Sequence, residues 1–358
     1  MNYNSVFFIN GRKISFSDPT YFIADIAANH DGDLERAKML IHLAKEAGAD
    51  CAKFQHFKAS GIVSAEGFEA MGNQLSHQAK WKKSVTEVYD QYHTRREWTS
   101  VLVETAREVG IDFMTTPYDI EAIDMFSTIV PAFKVGSGDI TFREAVVRMA
   151  ETGKPVLLAT GASDMEDVIA AVEMIVNANP NICLMQCNTN YTGSVENFKY
   201  VNLQVLPTFA ERWPGMILGF SDHTPGHSAV LGAVTLGARV VEKHFTDDND
   251  REGPDHSFAL NPKTWRDMVD SVRELEAALG DGIKRIESNE LETVVIQRRA
   301  LRLTRDIQAG EVLCSNDLEA LRPCPEGAIT PMDDLKVIGR KILQDKKKGM
   351  VLAWTDLG

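Results

Sequence analysis

Between residues 21 and 280, short runs of β-branched and apolar residues alternate with longer stretches in which apolar positions recur every three or four residues. The short runs predict strands at 21–28, 51–57, 112–117, 132–137, 155–161, 182–188, 216–223 and 239–246. The amphipathic stretches predict helices at about 33–48, 94–110, 119–128, 142–152, 164–178, 198–211, 225–237 and 262–279. This is the pattern of βα units around a parallel sheet, because parallel neighbours need a crossover and a helix supplies it. Eight strands with eight helices predict an α/β fold of the closed (β/α)8 TIM-barrel type; an open doubly wound sheet is the alternative, since counting strands does not prove closure. Helix caps are expected at Asp33, Thr94, Ser163 and Thr224, the last with Pro225 in the first turn, where a missing N–H is tolerated.

The stretch 58–93 breaks the rhythm with Gly61, Gly67, Gly72, a polar HQAKWKK segment and several aromatics. It reads as an insertion over the barrel mouth, either covering a substrate or forming a surface excursion or oligomer contact. The barrel domain is therefore expected at 1–280, followed by a polar linker at 281–293 and a small, mostly β module at 294–358. That module carries an internal echo: Asp306, Gly310, Val312, Leu313, Asp317 and Leu318 recur as Asp345, Gly349, Val351, Leu352, Asp356 and Leu357. Two copies are too few for a solenoid and fit a compact pseudo-symmetric unit.

A chain of 358 residues has the length for a barrel plus a second domain, and 44% hydrophobic content is enough to bury a large core. The 38 basic and 51 acidic side chains give a net charge of −13, which argues against nucleic-acid and membrane partners. A small anionic substrate stays compatible, because a few lysines in one pocket can overrule the mean field. There is no basic leader followed by a long apolar run, so a cytoplasmic location is expected. Cys51, Cys183, Cys187, Cys314 and Cys324 form no CxxC pair and are expected to be reduced thiols.

In a parallel barrel, catalytic groups sit where strands end. Here those positions carry Asp25, Asn29 and His30; Lys53 and Gln55; Thr115 and Thr116; Lys134, Ser137 and Asp139; Asn188 to Tyr191; Ser221 to His223; and Glu242 to His244. Period-two alternation puts Lys53 with Gln55, Ser221 with His223, and Glu242 with His244 on common faces. His223 and His244 end neighbouring strands, where two imidazoles could bind one divalent metal and leave positions open for substrate. Lys53 and Lys134 lie within apolar strands, so each must be paired, neutralised or aimed at an anion. With Thr116, Ser137 and Ser221 they could hold a phosphate and a carboxylate; alternatively they pair with Asp25, Asp139 or Glu242, or one of them serves as a Schiff-base amine in an aldolase. No GxGxxG or Walker-type loop follows a strand, which leaves nucleotide cofactors without support.

The segments IADIAANHDGD, AKFQHFKA, PAFKVGSGD, LMQCNTNYTGS, GFSDHTPGH, VVEKHFTDDNDREGPDHSFAL and ALRPCPEGA, in this order, closely resemble the bacterial N-acetylneuraminate synthase family. The C-terminal module resembles that family's antifreeze-like (SAF) domain. The resemblance implies condensation of phosphoenolpyruvate with an open-chain N-acyl amino sugar, N-acetylmannosamine or a related hexose, to give a sialic-acid-type nonulosonic acid. It implies a divalent metal on His223 and His244, manganese first, with magnesium or cobalt as alternatives. It also implies phosphoenolpyruvate held by Lys53, Thr116, Lys134, Ser137, Thr189 and Ser221, with Gln55, Tyr191 and Asp255 as further pocket residues. Asp25 and Asp139, where the family carries glutamates, match residues that position the sugar or move protons. Arg322, in RPC where the family has RPG, matches an arginine that reaches the sugar's acyl group from the other subunit of a domain-swapped homodimer. The same fold acting on another aldose, or a catalytically silent homologue, is the alternative reading.

Overall fold

Asn10 and Gly11 both adopt left-handed backbone conformations (φ 47° and 80°) and turn the chain back on itself. An Asn-Gly pair tolerates that geometry where other residues resist it, and its twist suits a two-residue hairpin. The strands it joins, β1 (Phe7–Ile9) and β2 (Arg12–Ile14), pair antiparallel with Phe7 opposite Ile14. The computed structural model containing this hairpin describes residues 2–72, 78 and 81–358. Part of the HQAKWKK segment lies outside the described residues.

The eight parallel strands that follow are β3 (Tyr21–Asp25), β4 (Cys51–His56), β5 (Asp112–Pro117), β6 (Phe133–Val135), β7 (Val156–Ala159), β8 (Ile182–Cys187), β9 (Ile217–Asp222) and β10 (Ala238–His244). They pair in sequence order and β10 returns to β3, closing the barrel and ruling out the open sheet. Residues on alternate positions face outward into the layer between strands and helices, where Phe22, Phe54, Phe133, Phe220 and Trp265 are buried. The inward-facing set at the N-terminal end, including Tyr21, Ile23, Met114, Leu157, Cys183 and Ile217, packs against Phe7, Ile9 and Ile14 of the hairpin. The hairpin therefore plugs the end of the barrel away from the strand-end chemistry. It is further anchored by Arg12 on Asp50 and by Asn10 on Asp112, which also accepts from the Tyr21 hydroxyl (2.6 Å).

The helix at Leu34–Glu46 is capped by Asp33, whose side chain accepts from the Arg36 amide, as expected. The other expected caps are displaced. The hydroxyl of Thr94 meets His30 and the α-helix begins only at Thr99. Ser163 bonds back to the Gly161 carbonyl, and Asp164 caps Met165–Ala178 instead. Thr224 bonds Asp222 and its helix starts at Ser228, so Pro225 precedes the first turn. In each case a nearer partner claims the hydroxyl. The segment expected as a helix at 198–211 is a 3-10 turn (Val195–Lys199) followed by Val205–Arg212. The described part of the insertion forms three short helices, Ala59–Ile62, Ala65–Ala70 and Val85–Tyr92, the last closed by a Ser84–Glu87 capping box. No helix among the described residues is long and apolar enough to cross a membrane.

The chain divides into two compact units, 1–280 and 281–358. The second has its own core of Leu301, Leu303, Ile307, Leu313, Ile329, Ile342 and Leu352, with β11 (Ala300–Leu303) paired antiparallel to β12 (Leu318–Leu321). Its sequence echo becomes reciprocal hydrogen bonding. Ile307 and Lys346 exchange backbone bonds (2.9 and 2.8 Å), and Gly310 donates to Ile342 as Gly349 donates to Leu303 (both 2.7 Å). Asp306 accepts from the Lys348 amide (2.9 Å) just as Asp345 accepts from that of Ala309 (2.8 Å).

Candidate active site

At the C-terminal end of the barrel the strand-end side chains converge in one buried cluster. The ammonium of Lys53 on β4 sits 2.8 Å from an oxygen of Asp25 on β3 and 3.1 Å from the hydroxyl of Thr116 on β5. The same Asp25 oxygen accepts from Gln55 (3.0 Å), so Lys53 and Gln55 share the inward face as their two-residue spacing requires. Glu242 on β10 places one oxygen 3.5 Å from Lys134 and 3.8 Å from Lys53, and accepts from Ser221 at 3.3 Å. Its other oxygen is buried with no hydrogen-bond partner among the described residues.

Both lysines are thus paired in this structure, with Asp25 and Glu242 but not with Asp139. Burial works against the Lys53 ammonium, yet the neighbouring Asp25 and Glu242 charges outweigh it and hold the pKa above the ordinary lysine value. A Schiff-base lysine needs the opposite shift, so these surroundings favour a charged Lys53 over a free amine.

Beside this cluster lie the two imidazoles, with ring centres 5.3 Å apart. Nδ1 of His223 faces the Asn188 carbonyl at 2.8 Å, which fixes that nitrogen as a donor and leaves Nε2 as the nitrogen for a ligand; against burial, the neighbouring Cys187 and this carbonyl hold the ring's pKa above the usual value. His244 is neutral because burial, aided by His223 and Lys53, holds its pKa well below the usual value. Its Nδ1 is buried without a hydrogen-bond partner among the described residues, 3.7 Å from Asp255, and its Nε2 is 3.7 Å from Asp25. Two buried imidazoles on neighbouring strand ends, flanked by carboxylates, are a donor set that suits a divalent transition metal, which would displace any proton they carry. Among the described residues no cage of three or more His, Cys, Asp or Glu side chains forms, so most of such an ion's coordination would be left to substrate and water.

The histidines owe their placement to a contact on the opposite face of their strands. Lys243 and Asp222, each adjacent in sequence to one histidine, form a fully buried ion pair at 2.6 Å, and Lys243 also donates to the Thr224 carbonyl at 2.7 Å. Alternation makes this pair legible in the sequence: if His223 and His244 face inward, Asp222 and Lys243 must meet outside.

A second network fixes the loop that carries Asp255. Asp31 accepts from His256 (2.8 Å) and Arg251 (2.8 Å), and Arg36 bridges Asp31 to Asp247. Gly253 packs so closely on His256 that a Cβ there would lie 2.6 Å from the ring. Asp255 is left facing the site, accepting from the Ala28 amide (3.2 Å), and burial pushes its pKa up to about 6. Nδ1 of His256 meets the Thr246 hydroxyl (2.7 Å) nearby, but its carboxylate partner Asp31 lies 225 positions away in the chain, which no local pattern specifies.

The Ser137 hydroxyl accepts from the Gly161 amide (3.0 Å), beside Thr189 and Cys187. Tyr191 packs edge-on against His223, with ring centres 4.4 Å apart. Arg322 lies in the second unit, where its Nε donates to the Gln297 carbonyl (2.6 Å). His244 borders a cavity of about 150 Å³. Gln55, Tyr191, His244 and Asp255 line it together with Tyr118 and with Ile62, Val88, Tyr89 and Tyr92 of the insertion, so the insertion does line a cavity at the barrel mouth.

Asp139, in the 3-10 turn after β6, makes no ion pair or side-chain hydrogen bond among the described residues, and burial pushes its pKa up to about 6. A carboxyl with a raised folded-state pKa supports the fold below its unfolded value of 3.8 and loses that contribution as pH rises through about 6. Asp139→Asn is therefore expected to raise Tm, with a gain that grows between pH 4 and 6 and then levels off. Thermal melts of both proteins across that range check it; a gain independent of pH would show that the carboxyl is not destabilised by burial.

A family model described as the NeuB family matches residues 40–284, and one described as the SAF domain matches residues 298–358. The chain is 34% identical over 360 residues to the N,N'-diacetyllegionaminic acid synthase of Legionella pneumophila, covering 97% of each. It is 32% identical over 334 residues to the human N-acetylneuraminate-9-phosphate synthase, covering 93% of this chain and 91% of that one. Among solved structures, the spore coat polysaccharide biosynthesis protein spsE of Bacillus subtilis superposes with a TM-score of 0.65 at 30% identity, covering 99% of both chains. Together with the closed barrel and the strand-end cluster, these matches establish that the chain belongs to the NeuB family and carries a SAF domain at its C-terminal end.

Proposed function

We propose that this protein condenses phosphoenolpyruvate with an open-chain N-acyl amino sugar, N-acetylmannosamine or a related hexose, giving a nonulosonic acid and inorganic phosphate. One observation carries the reading: two buried lysines meet across Glu242, beside two buried imidazoles, at the end of the barrel where catalytic groups gather. The relatives named as synthases of N,N'-diacetyllegionaminic acid and of N-acetylneuraminate 9-phosphate support it.

In this reading Lys53 and Lys134 hold the phosphate and carboxylate of phosphoenolpyruvate as fixed cations, with Thr116, Ser137, Thr189 and Ser221 donating to the remaining oxygens. The two reactants are thereby brought together at high effective concentration. His223 and His244 are the residues that would hold a divalent metal, which supplies Lewis-acid polarisation of a carbonyl when bound. C3 of phosphoenolpyruvate bonds to the sugar's aldehyde carbon, whose oxygen takes up a proton. Water then adds at C2, and the C2–O bond to phosphate breaks. Asp25, Asp139 and Asp255 are placed to orient sugar hydroxyls and to hold or pass protons. In a domain-swapped homodimer, Arg322 would approach the acyl group from the partner subunit.

The test is phosphate release from phosphoenolpyruvate plus an amino sugar, before and after removal of metal by a chelator. The expected result is loss on chelation and recovery with Mn2+; full activity after rigorous metal removal would overturn the metal assignment. Gly161→Ala gives a more local check. A Cβ there would lie 2.6 Å from Thr189 Cγ2 and 2.9 Å from Ser137 Oγ, forcing both away from the anion site. The expected outcome is a KM for phosphoenolpyruvate raised about 10- to 100-fold, measured by steady-state kinetics on protein whose circular dichroism is unchanged.

A further inference from the structure

The segment that follows β10 is a long loop tied at its base: the Thr246 amide donates to the Leu260 carbonyl (3.0 Å), and the Leu260 amide donates to the His244 carbonyl (2.9 Å). Residues 247–259 must then be ordered by contacts of their own. Asp255 is the member of this loop that reaches the site, 3.7 Å from Nδ1 of His244. Its side chain is 16% exposed, and among the described residues it accepts one hydrogen bond, from the Ala28 amide at 3.2 Å. A carboxylate with so little compensation gains by swinging out into water. Its own contacts therefore do not account for its position.

Its sequence neighbour supplies what is missing. The His256 imidazole is fully buried, with Nε2 2.8 Å from Asp31 and Nδ1 2.7 Å from the Thr246 hydroxyl. Burial works against the Asp31 charge, yet His256 and Arg251 outweigh it and hold that carboxyl below the usual range, so Asp31 accepts and Nε2 donates. Arg251 and Arg36 also converge on Asp31, but exposure ranks the three. The Arg251 side chain is 41% exposed, where solvent leaves an ion pair about 1 kcal/mol at most. Arg36 fastens the beginning of the loop through Asp247, and His256 fastens the end that carries Asp255. The Asp31 amide in turn donates to the Ala28 carbonyl (3.0 Å). The amide that Asp255 uses and the carboxylate that His256 uses thus belong to one turn after β3.

We infer that His256 and Asp31 are positioning residues for the reaction: their hydrogen bond fastens the loop after β10 to the turn after β3 and so holds Asp255 in the site. The inference rests on the condensation proposed above, in which Asp255 orients the sugar.

Asparagine and glutamine separate the two bonds of the ring, because an asparagine amide nitrogen falls near the place of Nδ1 and a glutamine one near that of Nε2. His256→Asn is expected to lose Asp31 and to raise KM for the amino sugar about 10- to 100-fold, with KM for phosphoenolpyruvate unchanged. His256→Gln is expected to keep most of the original value. Gly253→Ala reaches the same bond from an exposed position, since its Cβ would lie 2.6 Å from the ring carbon Cδ2 and 2.9 Å from Nε2, and the same selective rise is expected. In an Asp255→Ala background, His256→Asn should cost no more than about 2-fold further, because its effect passes through residue 255. Steady-state kinetics with phosphoenolpyruvate and either N-acetylmannosamine or a diacetamido-trideoxy-hexose read each protein. Three results would overturn the inference and leave the condensation standing: KM for phosphoenolpyruvate rising in step, equal losses from asparagine and glutamine, or an undiminished loss in the Asp255→Ala background. An unaltered chain that condenses neither sugar with phosphoenolpyruvate would instead remove the condensation, and the inference with it.

Discussion

Replacing His223 with alanine is expected to weaken Mn2+ binding by about 100-fold or more and to abolish phosphate release. In the proposed site the ion has two protein ligands, and the loss of one leaves a single imidazole to hold it. Nδ1 of His223 is committed to the Asn188 carbonyl, so the ring presents one nitrogen in one direction. Removing it takes away an oriented ligand, not merely a basic group. Calorimetric titration with Mn2+ reads the effect independently of catalysis. His244→Ala should behave in the same way, and unaltered Mn2+ affinity in both variants would refute the assignment of these two residues.

The second large effect is expected from Lys53→Met. Methionine approximates the length of the lysine stem but leaves Asp25 buried with its principal cation gone and weakens the compensation of Glu242. Breaking a buried pair from one side costs about 3–5 kcal/mol, so a marked fall in Tm should accompany a loss in kcat/KM of about 1000-fold or more. Stability and chemistry separate in the double variant Lys53→Met/Asp25→Asn. Neutralising Asp25 should restore much of the lost Tm, because the uncompensated charge is gone, while activity stays absent for want of the anion anchor. Recovery of activity in the double variant would show that Lys53 serves the fold and not phosphoenolpyruvate.

The barrel was legible because its two periods differ: runs that bury both faces of a strand, such as 182–188, stand apart from helices with one apolar stripe, such as 262–279. The strand-end lysines and histidines were legible for the same reason, since a charged or ligating residue inside an apolar run has to be explained. The hairpin was not read, although Asn10-Gly11 between alternating hydrophobics is a hairpin signal. Its apolar residues show their purpose only once the barrel end they fill exists. Caps failed where a hydroxyl had a choice: Thr94 and Thr224 look like N-caps locally, but His30 and Asp222 reach them first. The pairing of both lysines with Asp25 and Glu242 was among the sequence's alternatives, because strand ends gather those residues, whereas the Asp31–His256 network joins distant parts of the chain that no local pattern specifies.

The reciprocal hydrogen bonding of the C-terminal module bears on how it acquires order. Ile307 needs Lys346, Gly349 needs Leu303, and each capping aspartate serves an amide of the opposite repeat. A single repeat therefore has donors and acceptors it cannot satisfy by itself, and a stable half-built state has nowhere to rest. The duplicated segment is thus expected to unfold as one unit, with a lesion in either copy felt by both.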